Sequence, residues 1–342
     1  MRRRSRCLFH CGGIVLALIL VVVCVSCRRK PERPQVVLYC SVDQGVAEPI
    51  IAAFERQTGI KVLARYDTEA SKTVGLVQRI RAEASAPAAD VFWSSEVFHT
   101  IRLAREGLLT PYDASGTDDW PAPFSDPNGL WYGFALRARV IGYNTDRVSA
   151  EEAPKSLEDV LDSKWRGRLV MASPAFGTTG GDVASWFAHY GPERAREILG
   201  QLKANAVRIV SGNSTAVRMV ATGQADICFT DTDDIYAGQR NEWPVALNFL
   251  DQRGEGVLAI PNTAALVRGG PYPETASKLM EFLLGETLER MLVQSDSHNS
   301  PVHASVAAEY EQYAIPHALK VDYERVAGHL PEAIEAAREM LP

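Results

Sequence analysis

From residue 36 onward, short apolar runs alternate with stretches whose apolar residues recur at helical spacing. That alternation limits the chain to an α/β architecture. Residues 36–39 (VVLY) form a strand-like run that breaks at Ser41-Val42-Asp43-Gln44. Val46, Ile50, Ile51 and Phe54 then share one helical face, Thr58-Gly59 stops the helix, and residues 60–63 open a second strand. The pattern predicts further strands at 62–66, 89–93, 169–172, 208–210 and 226–229, with paired extended segments at 131–136 and 140–143. A return strand is expected over 257–260 and 263–267. Helices are predicted over 68–84, 98–106, 182–190, 192–204, 215–222, 273–284 and 321–340.

The N-terminus carries an export signal. Arg2, Arg3, Arg4 and Arg6 precede an apolar run over 12–25. That run is short for a membrane span, which needs ~20 residues, and it fits a secretory signal better. The alternative is an uncleaved anchor helix. Cys24-Val25-Ser26-Cys27 resembles a bacterial lipoprotein box, with Cys27 as the acylated first residue of the mature chain. The expected organisation is a lipoprotein signal peptide over 1–26 and a tether over 27–35, with the globular part outside the cytoplasm and held to a membrane. Removing four arginines with the signal leaves 36 − 4 = 32 basic against 42 acidic side chains, near −10. With no basic stripe, nucleic acid is not an expected partner. Cys40 and Cys228 lie in apolar strand-like runs and are expected as buried free thiols.

Small polar residues and carboxylates collect at the predicted strand-to-helix turns. Ser41 to Gln44, Thr68-Glu69, Ser94-Ser95-Glu96, Gly177-Thr178-Thr179-Gly180-Gly181, Gly212 to Thr215 and Thr230 to Asp234 all fit this description. Each could simply be a helix N-cap. In a parallel α/β fold, however, such turns gather along one edge where ligands bind, and free N–H groups at helix starts favour an anion. The carboxylates among them, Asp43, Glu69, Glu96, Asp231, Asp233 and Asp234, would be costly as a cluster without a cation or amine. Arg137 and Arg139, two apart on a strand, share a face and suit an anion or a structural ion pair. No Gly-x-Ser-x-Gly, Walker A, Cys-x-x-Cys or zinc-spaced His pair occurs, so no enzyme is expected.

The blocks ADVFWSSE (89–96), EGLLTPY (106–112), SKWRGRLVMASP (163–174) and GQADICFTDTDD (223–234) resemble, in this order, the bacterial extracellular solute-binding proteins of family 1, and within them the ferric-iron-binding subgroup. The resemblance implies a periplasmic-binding-protein type II fold. Residues 36–135 and 257–300 would form one lobe, 136–256 and 301–342 the other, joined by crossover strands around a ligand cleft. It implies a monomeric substrate-binding component of an ABC importer, working with a permease and an ATPase. The expected ligand contacts are Ser41, Asp43, Glu69, Ser95, Glu96, Arg137, Thr178, Thr179, Asp231, Asp233 and Asp234. Fe(III) or another hard cation with a small anion is the first expected cargo, held by Asp43, Glu69, Asp233, Asp234 and Tyr236. The relatives use adjacent tyrosines where this chain has Thr232-Asp233-Asp234. A small phosphonate or other amino-bearing anion is the alternative cargo, and a ligand-sensing receptor the alternative role.

Overall fold

A computed structural model describes residues 33–67, 72–113 and 120–342. Cys27 and Glu69 lie outside the described residues. The strands and helices of the first part are β1 (Gln35–Cys40), α1 (Gln44–Thr58), β2 (Lys61–Tyr66), α2 (Val74–Ala82), β3 (Val91–Ser94), α3 (Phe98–Arg105) and the two-residue β4 (Leu109–Thr110). They lead to the long strand β5 (Tyr132–Asn144). Next come α4 (Leu157–Leu161), β6 (Leu169–Ala172), α5 (Gly177–Tyr190), α6 (Pro192–Ala204), β7 (Arg208–Val210), α7 (Asn213–Ala221), β8 (Ile227–Asp231), α8 (Thr232–Arg240) and β9 (Val245–Asn248). The chain ends through β10 (Ala259–Val267), α9 (Pro273–Leu283), α10 (Glu286–Gln294), α11 (Ala304–Glu309) and α12 (Tyr323–Met340).

The strands run in the order β2-β1-β3-β10-β5-β8-β6-β7, with β4 on β10 and β9 on β5. The two short segments expected over 131–143 are one strand, and that continuity organises the molecule. The first part of β5 pairs antiparallel with β10, from Tyr132↔Ala264 to Ala138↔Ala259. Its second part pairs with β8, from Arg139↔Asp231 to Tyr143↔Ile227. The chain therefore passes along β5 from one parallel set (β2, β1, β3) to the other (β6, β7, β8).

The passage is bent. Ala135 has φ 46°, and the register against β10 shifts between Pro261 and Asn262. A non-glycine residue there is strained, and the freed backbone groups need partners. Asn262 Nδ2 donates to the Ala135 carbonyl oxygen (2.6 Å), and the Ala135 N–H is met by buried Glu289. Its carboxylate accepts from the backbone N–H of Ala135 (2.9 Å), Val302 (2.8 Å) and His303 (2.8 Å).

Helix α12 packs against α5, α6 and α3, so the C-terminus touches elements on both sides of β5. Close approach between those sides depends on one glycine. A Cβ on Gly181 of α5 would fall 2.0 Å from the buried Phe98 ring of α3. Apolar side chains of β1, α1, α9 and α10 form one core cluster, and those of α7, β8 and α8 another. Cys40 and Cys228 are buried and free; burial pushes the Cys40 thiol up to about 12 and raises that of Cys228.

Candidate functional site

The C-terminal ends of β1, β3, β6, β7 and β8 open onto one polar cleft of about 550 Å³, mouth included. From the segments before β5 come Asp43, Lys72 and Ser95; from β5 comes Arg137. The segments after β5 supply Ser173, Gly177, Thr178, Thr179, Asn213, Asp231, Asp233 and Asp234, among others.

Four of the helix starts at the cleft are not explained by side-chain capping. Asp43, Phe176, Gly212 and Asp231 stand at the N-caps of α1, α5, α7 and α8, and none makes a side-chain cap hydrogen bond. The first-turn N–H groups of α5 and α7 have no intrahelical acceptors and belong to residues lining the cleft. Gly177 opens α5 at φ 56°, a turn that favours glycine.

The carboxylates make ion pairs. Arg139 donates from Nη1 to Asp231 Oδ1 (2.7 Å) and from Nε to Asp182 Oδ2 (3.1 Å). Asp231 Oδ2 accepts from Thr178 Oγ1 (2.6 Å) and Asn213 Nδ2 (3.0 Å). Arg137 Nη1 stands 3.1 Å from Asp233 Oδ2. At the mouth, Lys72 Nζ donates to Asp43 Oδ1 at 2.8 Å. Asp234 receives a bond from Thr230 Oγ1 (3.2 Å). Carboxylate oxygens of Asp231, Asp233 and Asp234 all lie within 4.8 Å of one another. Among the described residues, three polar atoms in this group are buried without a hydrogen-bond partner: Arg137 Nε, Arg139 Nη2 and Asp233 Oδ1.

These contacts set the protonation of the group. Burial pushes the Asp43 carboxyl up, but the adjacent Lys72 charge outweighs it and holds Asp43 below its ordinary value. Burial raises Asp233 despite Arg137. Burial raises Asp234 further, reinforced by the charges of Asp233 and Asp231. Burial also raises Asp182, though Arg139 opposes it. For Arg137 and Arg139 burial favours the neutral form, and the surrounding aspartates reverse it.

Of the residues expected at the site, the cleft brings together Asp43, Ser95, Arg137, Thr178, Thr179, Asp231, Asp233 and Asp234. Three fall elsewhere. Ser41 lies behind Ser95, its Oγ accepting from the Ser95 N–H (2.9 Å) and the Thr73 hydroxyl (3.1 Å). Glu96 is fully buried and serves the start of α3, accepting from the Phe98 (2.7 Å) and His99 (3.2 Å) N–H groups. Tyr236 packs edge-on against His298 and Tyr313, outside the cleft lining, because it follows the Asp pair round α8. Sequence reasoning missed Lys72, Asn213 and Asp182 as site residues. Lys72 lies three residues beyond Glu69 in the sequence, and Asn213 inside a helix start already noted. Nothing in the pattern marks Asp182, which α5 places under Arg139.

Residues 86–325 match the family model of the bacterial extracellular solute-binding proteins. The chain is 28% identical over 328 residues to the iron uptake protein A1 of Synechocystis, covering 90% of this chain and 89% of the relative. It is 29% identical over 270 residues to a putative 2-aminoethylphosphonate-binding periplasmic protein of Salmonella typhimurium, covering 76% and 75%. Among solved structures, iron-bound HitA of Pseudomonas aeruginosa superposes with a TM-score of 0.81 at 26% identity, covering 90% of this chain and 99% of that one. The type II binding-protein fold follows from such neighbours.

Proposed function

The chain belongs to the bacterial extracellular solute-binding protein family, and from that premise we propose that it delivers a small zwitterionic solute, anionic at one end and an ammonium at the other, to an ABC permease and its ATPase. The carrying observation is the pairing of opposite needs in one cleft. The uncapped starts of α5 and α7 offer N–H groups to an anion such as a phosphonate. Facing the same space, Asp233 Oδ1 is buried without a partner and Asp234 has one hydroxyl donor. An ammonium supplies what both lack.

The proximity of the Asp231, Asp233 and Asp234 carboxylates, together with the iron-binding relatives, supports a second reading, a hard cation such as Fe(III) with a small anion. The described cleft lining holds no phenolate. Oxygens of the trio are also engaged already: Asp231 by Arg139, Thr178 and Asn213, Asp233 by Arg137, and Asp234 by Thr230. These donors would have to be displaced or shared. Calorimetric titration of the purified protein with 2-aminoethylphosphonate and with Fe(III)-citrate separates the readings. Saturable phosphonate binding, lost in Asp233→Ala/Asp234→Ala, supports the zwitterion. Binding of iron alone refutes it.

The remaining parts of the reading concern placement. The family places the globular part outside the cytoplasm, and the lipoprotein-like box proposes acylation at Cys27. A Cys27→Ser protein still recovered with the membrane and carrying the native lipid mass would exclude that. Lobe division at β5, with a monomer closing on its ligand, accords with the two strand sets that β5 joins.

A further inference from the structure

Resting on the zwitterion reading, we infer that Lys72 is a specificity-determining residue, an internal ammonium that limits the positive charge the cleft accepts and so excludes multivalent cations.

The charge count comes first. Among the described cleft-lining residues, Asp43, Asp231, Asp233 and Asp234 face Lys72 and Arg137. Behind them Arg139 answers Asp231 and Asp182. The three carboxylates nearest one another have the spacing of a hard-cation cage. Such a cage would draw ions of charge two or three unless another positive group stood close by. Arg137 cannot do this alone: its Nη1 is committed to Asp233, its Nη2 donates to Asn262 Oδ1 (3.4 Å), and it is only 5% exposed.

Lys72 is placed to supply the second charge. It pairs with Asp43 at 2.8 Å and lines the same cleft as Asp233 and Asp234, where its charge works against the burial that raises their carboxyls. A trivalent ion entering beside Asp233 would meet the Lys72 ammonium at three times the repulsion felt by a single ammonium at the same distance, since Coulomb energy scales with the product of charges. A zwitterion brings one positive charge to the carboxylates and places its anion at the helix starts. Lys72 therefore taxes metals far more than it taxes an amine.

The test uses the full chain and Tb(III), a trivalent hard cation, as probe. Wild type, Lys72→Met, Lys72→Arg and Lys72→Met/Asp233→Asn are each titrated by calorimetry. Removing the ammonium should tighten Tb(III) binding at least tenfold, Lys72→Arg should match wild type, and Asp233→Asn should abolish the gain. Equal Tb(III) affinity in wild type and Lys72→Met overturns the inference. So does a gain that survives Asp233→Asn, because it would arise elsewhere. Titration of wild type with 2-aminoethylphosphonate is scored separately. A null result there with the Tb(III) gain intact would discard the zwitterion and leave the charge limit standing.

Discussion

Arg139 is 4% exposed and is held between Asp182 and Asp231 at 3.1 and 2.7 Å. Replacing it with Met keeps much of the volume and removes the charge. The two carboxylates then fare differently. Asp231 keeps the Thr178 and Asn213 donors on its other oxygen. Among the described residues, the Asp182 carboxylate has no side-chain partner besides Arg139, and burial already raises its pKa. Breaking a buried ion pair by deleting one partner costs about 3–5 kcal/mol, and the bonds left on Asp231 place this case near the lower end, about 3 kcal/mol at neutral pH. The sign with pH is fixed. A carboxyl whose folded pKa is raised binds its proton more tightly in the folded state, so stability is fully present below the unfolded value and falls as pH rises through the folded one. Loss of Arg139 raises Asp182 further, so the deficit should shrink as pH drops from neutral toward about 4. Urea midpoints of wild type and Arg139→Met at several pH values measure this, and Arg139→Met/Asp182→Asn should recover part of the loss. A neutral-pH cost below about 1 kcal/mol, flat with pH, would show that Asp182 is not a buried charge held by Arg139.

Two expectations concern Asp234, whose carboxyl burial and its neighbours raise well above the ordinary value. Asp234→Asn should make the ligand-free protein more stable at neutral pH, because the wild-type group is costly when charged, and the advantage should vanish as pH falls toward the unfolded aspartate value; thermal melts across pH decide it. Affinity for an amino-bearing ligand should weaken as pH falls through the raised Asp234 value, by up to about tenfold per pH unit for one competing proton; calorimetry at three pH values would expose a flat profile, which contradicts the assignment.

Much of this was legible in the sequence, for identifiable reasons. Strand and helix alternation follows from side-chain periodicity, so β1, β6, β8, α6 and α12 stand close to where the pattern puts them. The turn carboxylates converge because parallel strands end on one edge, a property of the fold class. What escaped depends on partners distant in the chain. Glu96 and Asp43 are both acids beside a strand end, yet one caps α3 and the other meets Lys72; local sequence does not separate them. The continuity of β5 also escaped: the pattern divides it into paired segments at 131–136 and 140–143, even though it places Arg137 and Arg139 on a strand. They are buried mid-strand only because Asp231, Asp233 and Asp182 are there to meet them. Tyr236 misled by proximity: two residues past Asp234 on a helix is about 200° of rotation, which turns the phenol away.

The distribution of the site about β5 carries a kinetic consequence. Both features assigned to the ligand's ends, the starts of α5 and α7 and the Asp233–Asp234 pair, come from segments after β5. The segments before β5 add Asp43, Lys72 and Ser95. On the proposed lobe closure, a solute would satisfy its two charges on one side, and the other side would close over it afterwards. Substitutions on the closing side should act after encounter, on escape. Asp43→Asn/Ser95→Ala should speed dissociation by roughly tenfold while association stays within about threefold, the usual division when a contact forms late. Asn213→Ala, which removes a donor from the docking side and loosens Asp231, should weaken the first encounter as well. Stopped-flow fluorescence separates the two rates, with the buried tryptophans as reporters. Slower association with unchanged dissociation in Asp43→Asn/Ser95→Ala would mean that the ligand meets the first segments before the second, and the order argued from the geometry would be reversed.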